Sequence, residues 1–118
     1  MSDLYYFDLS EFDCKETGEN NMSPTFLRRL DEFRGALGCP LVVLSGYRSP
    51  NHSLEEHKAK PGTHAQGIAA DLRMPDGIIM RKAVALALKM QFNGIGVNKG
   101  SLHLDDRDAH PVMWGYKA

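Results

Sequence analysis

The stretch Gly62-Thr63-His64-Ala65-Gln66-Gly67-Ile68-Ala69-Ala70-Asp71 places a carboxylate seven positions after a histidine. Apart from one glutamine, the residues between His64 and Asp71 are small or apolar, which leaves room for close backbone approach and for a ligand. Residues 67–74 predict a strand. Asp71 then lies inside an apolar strand, where a carboxylate is costly to bury without a partner. That partner is a metal ion, an ion pair with Arg73 or Arg48, or solvent on an exposed strand face.

A second polar cluster, Ser101-Leu102-His103-Leu104-Asp105, brings His103 thirty-two positions after Asp71. Alternation along a strand puts its three polar residues on one face. They form either the wet face of an edge strand or a ligand followed by a carboxylate. Two histidines and one aspartate match the three protein ligands of a catalytic zinc site. Our hypothesis is that His64, Asp71 and His103 hold one zinc ion.

Two helices are predicted around these clusters. Ser23 and Pro24 supply a cap and a first helical residue, and Gly38 ends the apolar periodicity that follows. The second helix is predicted over Ile78–Gln91 as mostly buried, with Asn93-Gly94 ending it.

Short apolar runs predict the remaining strands. Leu41–Ser45 is expected to be a central strand that is covered on both faces. Gly94–Val97 leads through the turn Asn98-Lys99-Gly100 into Ser101–Asp105, the expected last strand. The order of elements predicts an α+β fold, a small antiparallel sheet with helices on one side.

The length and composition bound the remaining possibilities. The 118 residues predict one domain over 1–118, with residues 1–22 as an N-terminal arm that covers the core. A net charge of −1 argues against a nucleic-acid partner, and no apolar run is long enough for a membrane span. No signal peptide is recognisable, so we expect the protein in the cytoplasm as synthesised, and as a monomer. Cys14 and Cys39 are expected to be reduced thiols.

Several motifs together resemble the zinc D-Ala-D-Ala carboxypeptidase family, from about Phe7 to Trp114. They are Ser45-Gly46-Tyr47-Arg48-Ser49-Pro50, then His64-x-x-Gly67-x-Ala69-x-Asp71, and Gly94-Ile95-Gly96-Val97 leading to His103-x-Asp105. The match is to the short single-domain members of phage and bacterial genomes. The resemblance implies the hedgehog/D-Ala-D-Ala peptidase fold and zinc as the cofactor.

The resemblance also assigns roles. His64, Asp71 and His103 match the three zinc ligands, and Arg48 matches an arginine that faces the substrate and polarises the scissile carbonyl. The neighbouring candidates for substrate binding are Tyr47, Ser49 and Thr63. The implied substrates are peptidoglycan stem peptides, cleaved as by a D-Ala-D-Ala carboxypeptidase or an L-Ala-D-Glu endopeptidase. In a phage, release from the cell would bring the enzyme to the wall.

Two positions depart from the family pattern. Gly62 stands where many members carry serine, and Gly100 stands where many carry a catalytic acid. Asp105 is therefore the candidate general base, with orientation of His103 as the alternative role. The missing acid also keeps open a non-catalytic binding or phage assembly module of the same fold.

The remaining histidines are assigned surface or structural roles, with lining of the cleft as the alternative for His52 and His57. His52 and His57 lie in the polar loop 51–62, which is expected to be functional or mobile, with one helical turn around 54–58. His110, which precedes Pro111 in the tail, is assigned a structural role. Trp114 either packs over the site or closes the core, and the core is preferred.

Overall fold

The computed structural model describes residues 4–53, 58 and 62–115. Within these residues the chain forms a short 3-10 helix, two α-helices and five strands. In chain order they are the 3-10 helix Leu9–Phe12, α1 Pro24–Leu37, β1 Val43–Ser45, β2 Ala69–Arg73, α2 Gly77–Lys89, β3 Gly94–Asn98, β4 Ser101–Asp105 and β5 Val112–Gly115. The predicted turn at 54–58 and His57 fall outside the described residues, apart from residue 58.

The five strands form one sheet in the order β1-β2-β4-β3-β5. Neighbours pair antiparallel except β3 and β5, which are parallel. This confirms the predicted α+β class. The prediction that Ser101–Asp105 is the last strand was wrong, because β5 follows it. The strand β5 has only four residues, too few for a clear alternation pattern to predict it.

The prediction that Leu41–Ser45 is a central, doubly covered strand was also wrong. The strand β1 lies at the edge of the sheet and pairs only with β2 within the described chain. Val42 and Leu44 are 53% and 40% exposed, whereas Leu41 and Val43 face the core. A short apolar run cannot distinguish a strand with two covered faces from one with a single covered face.

The first helix begins and ends where cap chemistry predicted. The side chain of Ser23 accepts a hydrogen bond from the Phe26 N–H (3.3 Å), and Pro24 occupies the first turn. Gly38 ends the helix with a φ of 80°, a left-handed conformation that glycine adopts without steric cost.

The second helix is less buried than predicted. Only Ala83 and Ala87 are fully buried, while Ile78 and Leu88 are 70% and 55% exposed. The helix ends at Lys89, before the predicted stop at Asn93-Gly94. A helix at the surface buries small residues where it meets the sheet, so its outward apolar residues misled the prediction.

Both helices pack on one face of the sheet, as expected. The core joins buried side chains of the 3-10 helix, α1, α2 and the strands, among them Phe12, Leu30, Ala83, Leu72, Ile95, Leu102 and Leu104. Because strand residues alternate, Asp71, His103 and Gly96 project to the opposite face. This second face carries the polar clusters singled out from the sequence.

The N-terminal segment is tied to α1 by one buried carboxylate. Asp31, which is 4% exposed, accepts hydrogen bonds from the backbone N–H groups of Tyr5 (2.9 Å), Tyr6 (2.9 Å) and Phe7 (3.2 Å). The side chains of Phe7 and Phe12 then enter the core, where their rings meet edge to face. This contact explains how an irregular segment covers the core.

The Asp31→Ala variant should lose about 3 kcal/mol of unfolding free energy, because three N–H groups lose a charged acceptor. Glu32→Ala, one residue further on an exposed position, is the matched control and should change stability by less than about 0.5 kcal/mol. Urea unfolding of both variants measures the difference. Equal stability of the two would contradict the anchoring role of Asp31.

Candidate metal centre

One row of aligned residues crosses the polar face of the sheet. Strand register places Asp71 beside His103, His103 beside Gly96, and Gly96 beside Trp114. Four strands thus contribute to the row, and their hydrogen-bonded backbones fix its spacing. Side chains at aligned positions of one face are direct neighbours.

His64 approaches this row from the turn that precedes β2. Its Nδ1 lies 2.8 Å from the carbonyl oxygen of Gly46, and a carbonyl can only accept, so Nδ1 carries the proton. The backbone N–H of Arg48 donates to the carbonyl of His64 at 3.2 Å. This tautomer leaves the lone pair on Nε2, which lies 3.3 Å from Oδ2 of Asp71.

Asp71 joins the two histidines. Its Oδ1 lies 2.9 Å from Nδ1 of His103, and its other oxygen faces His64. One ligand atom from each of the three residues lies within 4.8 Å of the other two. The structure therefore brings together the three residues that the sequence proposed as ligands.

Asp105 holds the far side of His103. Its Oδ2 lies 2.7 Å from Nε2 of His103, and the Arg107 guanidinium donates to its two oxygens at 3.0 and 2.8 Å. The Arg107 backbone N–H adds a fourth contact at 3.0 Å. The side chain of Asp105 is fully buried. A proton acceptor must face the reacting water, so this arrangement favours the orienting role over that of a base.

The glycine at position 94 makes room for this carboxylate. A Cβ atom built on Gly94 would overlap the carboxyl group of Asp105. Gly94 lies opposite Asp105 in the β3–β4 register. Gly94, the first glycine of the Gly-Ile-Gly-Val segment, therefore contributes by having no side chain, which leaves space for the Asp105 carboxylate.

The ionisation of the cluster follows from these contacts. Burial alone would raise the pKa of Asp71, but the neighbouring imidazoles of His103 and His64 hold it well below its usual range. Burial likewise opposes ionisation of Asp105, and His103 and Arg107 lower its pKa. Burial alone would lower the pKa of His103, whereas its bonds to Asp105 and Asp71 raise it. Without a metal, the carboxylates of Asp71 and Asp105 on either side of His103 favour its protonated form.

The donor set fits a zinc ion. The carbonyl of Gly46 fixes His64 with a free Nε2, and Asp105 accepts from Nε2 of His103, which leaves Nδ1 as its donor atom. Two imidazole nitrogens and one carboxylate are ligands that zinc prefers, and three protein ligands leave a position for water. A carboxylate or carbonyl behind each histidine is the usual support for a zinc ligand.

Metal binding should reverse the pH dependence of stability. In the metal-free protein the raised pKa of His103 stabilises the fold below about pH 6.5, and this contribution is lost as the pH rises through its folded pKa. The lowered pKa values of Asp71 and Asp105 stabilise the fold above about pH 4, and that contribution is lost on acidification. Zinc must displace the His103 proton, so the stabilisation by zinc should grow with pH.

Thermal unfolding with zinc and with a chelator measures this effect between about pH 5.5 and 8. The chelated protein should have its lower Tm at about pH 8. The zinc-loaded protein should have its lower Tm at about pH 5.5. A zinc-induced shift in Tm that is the same at both ends would contradict the assignment of His103.

The predicted substrate-binding residues divide into two groups. Tyr47 and Ser49 are buried, at 7% and 0% exposure. The ring of Tyr47 belongs to the core, and Ser49 Oγ donates to Glu19 at 2.6 Å. Their assignment to substrate contact stays a prediction, although both side chains are buried. Arg48 and Thr63 are half-buried and keep that assignment as a proposal.

Two further residues contact the cluster or its supporting groups in the structure. Trp114 is half-buried and its ring centroid lies 5.2 Å from that of His103, so the preference for a core role was wrong. Arg107 was missed as the partner of Asp105. The available signal was an arginine two positions after the aspartate that ends a predicted strand.

The other two histidines that the structure describes lie apart from the cluster. His52 Nε2 lies 3.1 Å from Glu16 Oε2, and His110 is exposed. Cys14 and Cys39 are both free thiols, as expected. Neither described helix has the length and apolar character that a membrane-spanning segment needs.

Comparison with known proteins agrees with this site. A family model described as Peptidase M15 matches residues 5–105, most of the chain and all three proposed ligands. A search of curated proteins gave no match. The earlier resemblance to the zinc D-Ala-D-Ala carboxypeptidases is thereby confirmed. The chain belongs to the Peptidase M15 family, the zinc D-Ala-D-Ala carboxypeptidases, and is a peptidase of that family.

Proposed function

We propose that this protein is a zinc peptidase that cleaves peptide bonds in peptidoglycan stem peptides. The observation that carries the proposal is the convergence of His64, Asp71 and His103 on one face of the sheet, within 4.8 Å of one another. Family membership supports peptide hydrolysis, and the stem peptide is the substrate class implied by the resemblance.

The three residues would hold the ion through Nε2 of His64, a carboxylate oxygen of Asp71 and Nδ1 of His103. Zinc bound there would polarise the scissile carbonyl and lower the pKa of a bound water to about 7. Asp105 keeps the proton on Nε2 of His103 and so holds the ring in one orientation. The backbone N–H of Arg48 donates a hydrogen bond to the carbonyl of His64. The Arg48 side chain is the proposed contact for the oxygen of the scissile carbonyl.

A second arginine supports an acidic peptide as the substrate. Arg73 follows Asp71 by two positions on β2, so it lies on the same face, and it is exposed. A guanidinium pairs with carboxylates in a bidentate fork. Stem peptides are rich in carboxylates, and we propose that Arg73 binds one of them.

The Arg73→Gln variant should therefore raise KM about tenfold for a peptide with a free carboxylate beside the scissile bond. The amidated form of the same peptide should show little change in KM. Steady-state kinetics with the two peptides, on the variant and the natural protein, gives the comparison. An equal rise for both peptides would contradict carboxylate recognition.

The direct test of the function is cleavage. Zinc-loaded protein is incubated with peptidoglycan and with synthetic stem peptides, and new amino termini are identified by mass spectrometry. Cleavage should disappear in His64→Ala and persist in His110→Ala, whose exposed histidine lies outside the cluster. The mass of the products names the bond.

The alternative is a module of the same fold that binds without cleaving, including one for phage assembly. The feature that favours it is Gly100, which lies in an exposed left-handed turn (φ 79°) where many relatives carry an acid. Full zinc occupancy with no cleavage of any stem peptide would support this alternative. Binding of the intact peptide would then be measured by calorimetry.

A further inference from the structure

Trp114 lies beyond the last residue of the family match, yet it contacts His103, one of the proposed metal ligands. It belongs to β5, and its indole packs on His103 with ring centroids 5.2 Å apart and planes tilted by 50°. The family model ends at residue 105. The site therefore continues into a strand that the match does not cover.

Gly96 makes this contact geometrically possible. It lies between His103 and Trp114 in the strand register, and a Cβ atom at Gly96 would come within 2.7 Å of the indole ring. Such a contact is shorter than carbon atoms tolerate, so a side chain at position 96 would displace the indole. The indole fills the space above Gly96 and rests against the imidazole.

Arg107 connects the indole to the carboxylate behind His103. Its guanidinium carbon lies 5.0 Å from the centre of the Trp114 ring, within the range of a cation–π contact. The same guanidinium pairs with Asp105, which accepts from His103. Trp114 thus restrains His103 directly and also restrains the arginine that fixes its hydrogen-bond partner.

We propose that Trp114 is a positioning residue of the metal centre, which keeps Nδ1 of His103 directed at Asp71. The imidazole has hydrogen bonds in its plane at both nitrogens, and these bonds still allow the ring to tilt. An indole against its face removes that freedom, so less ordering is needed when the metal binds. The inference rests on the proposed function for its metal, and it extends the site to a residue outside the family match.

A purely structural role for Trp114 would be to hold β5 on the sheet. Met113 on the same strand provides the control, because it points to the opposite face and is 49% exposed. The variants are Trp114→Ala, Trp114→Phe, Gly96→Ala and Met113→Ala. Zinc affinity is measured by competition with a chelator, together with the Tm of each metal-free variant.

The Trp114→Ala variant should bind zinc about tenfold more weakly, within the range found for groups that support metal ligands. Trp114→Phe keeps an aromatic face and should recover most of the affinity. Gly96→Ala should weaken zinc binding in the same direction, and Met113→Ala should leave it unchanged. The protein contains one tryptophan, so zinc titration of the natural protein should also change its fluorescence.

Equal zinc affinity of Trp114→Ala and Met113→Ala would overturn the proposal. If Trp114→Ala fails to fold, unchanged affinity in Gly96→Ala would overturn it instead. The outcome is separable from the proposed function, because zinc affinity is measured without a substrate. A natural protein that binds zinc but cleaves nothing refutes only the peptidase activity, and one that binds no zinc refutes both.

Discussion

Replacing Asp71 with asparagine should abolish zinc binding and peptidase activity together. The carboxylate is the only anionic member of the three proposed ligands, and it lies 2.9 Å from His103 and 3.3 Å from His64. Supporting groups around a metal cost about 10–100-fold in affinity when they are removed. Since Asp71 is a proposed ligand, the loss should be at least about 100-fold.

The asparagine variant preserves the volume and a hydrogen-bond acceptor, so the metal-free fold should survive. Zinc affinity is measured by chelator competition and cleavage by release of new amino termini. Asp106→Asn is the matched control, because Asp106 pairs with Arg29 of α1 at 3.0 Å, away from the proposed ligands. An Asp71→Asn variant with the zinc affinity of this control would refute the ligand assignment.

The metal ligands could be proposed from the sequence because each lies in a segment with a strong local pattern. Alternation of Leu102, His103 and Leu104 assigns His103 to one face, and the small residues before Asp71 mark a strand with space above it. The ends of α1 were equally predictable, because Ser23 and Gly38 act through contacts within the helix itself.

The misplaced elements depend on partners that are distant in the sequence. The exposure of Val42 and Leu44 depends on which other parts of the chain pack against β1. The local sequence pattern does not indicate this. Trp114 reaches His103 only because β5 pairs in parallel with β3 and Gly96 lies between them. Tyr47 and Ser49 belong to a motif that resembles a substrate-binding segment, but their burial is decided by the N-terminal segment that packs on them.

The Asp105→Asn variant should separate the two roles that the sequence left open for this residue. The asparagine side chain would offer only one acceptor oxygen to His103 and Arg107, and its NH2 group would face a donor. As an orienting group, Asp105 raises zinc affinity, so the variant should bind zinc about 10–100-fold more weakly. At saturating zinc its kcat should recover to within about threefold of the natural value, since no proton transfer passes through this residue.

A general base would give the opposite pattern. Zinc affinity would be nearly unchanged, and kcat at saturating zinc would fall by about 10²–10⁴-fold, the usual contribution of general base catalysis. The burial of Asp105 and its contacts with His103 and Arg107 favour the first result. Measuring kcat across a zinc titration therefore decides the role. If the kcat of Asp105→Asn stays low at saturating zinc, Asp105 is the general base despite its burial.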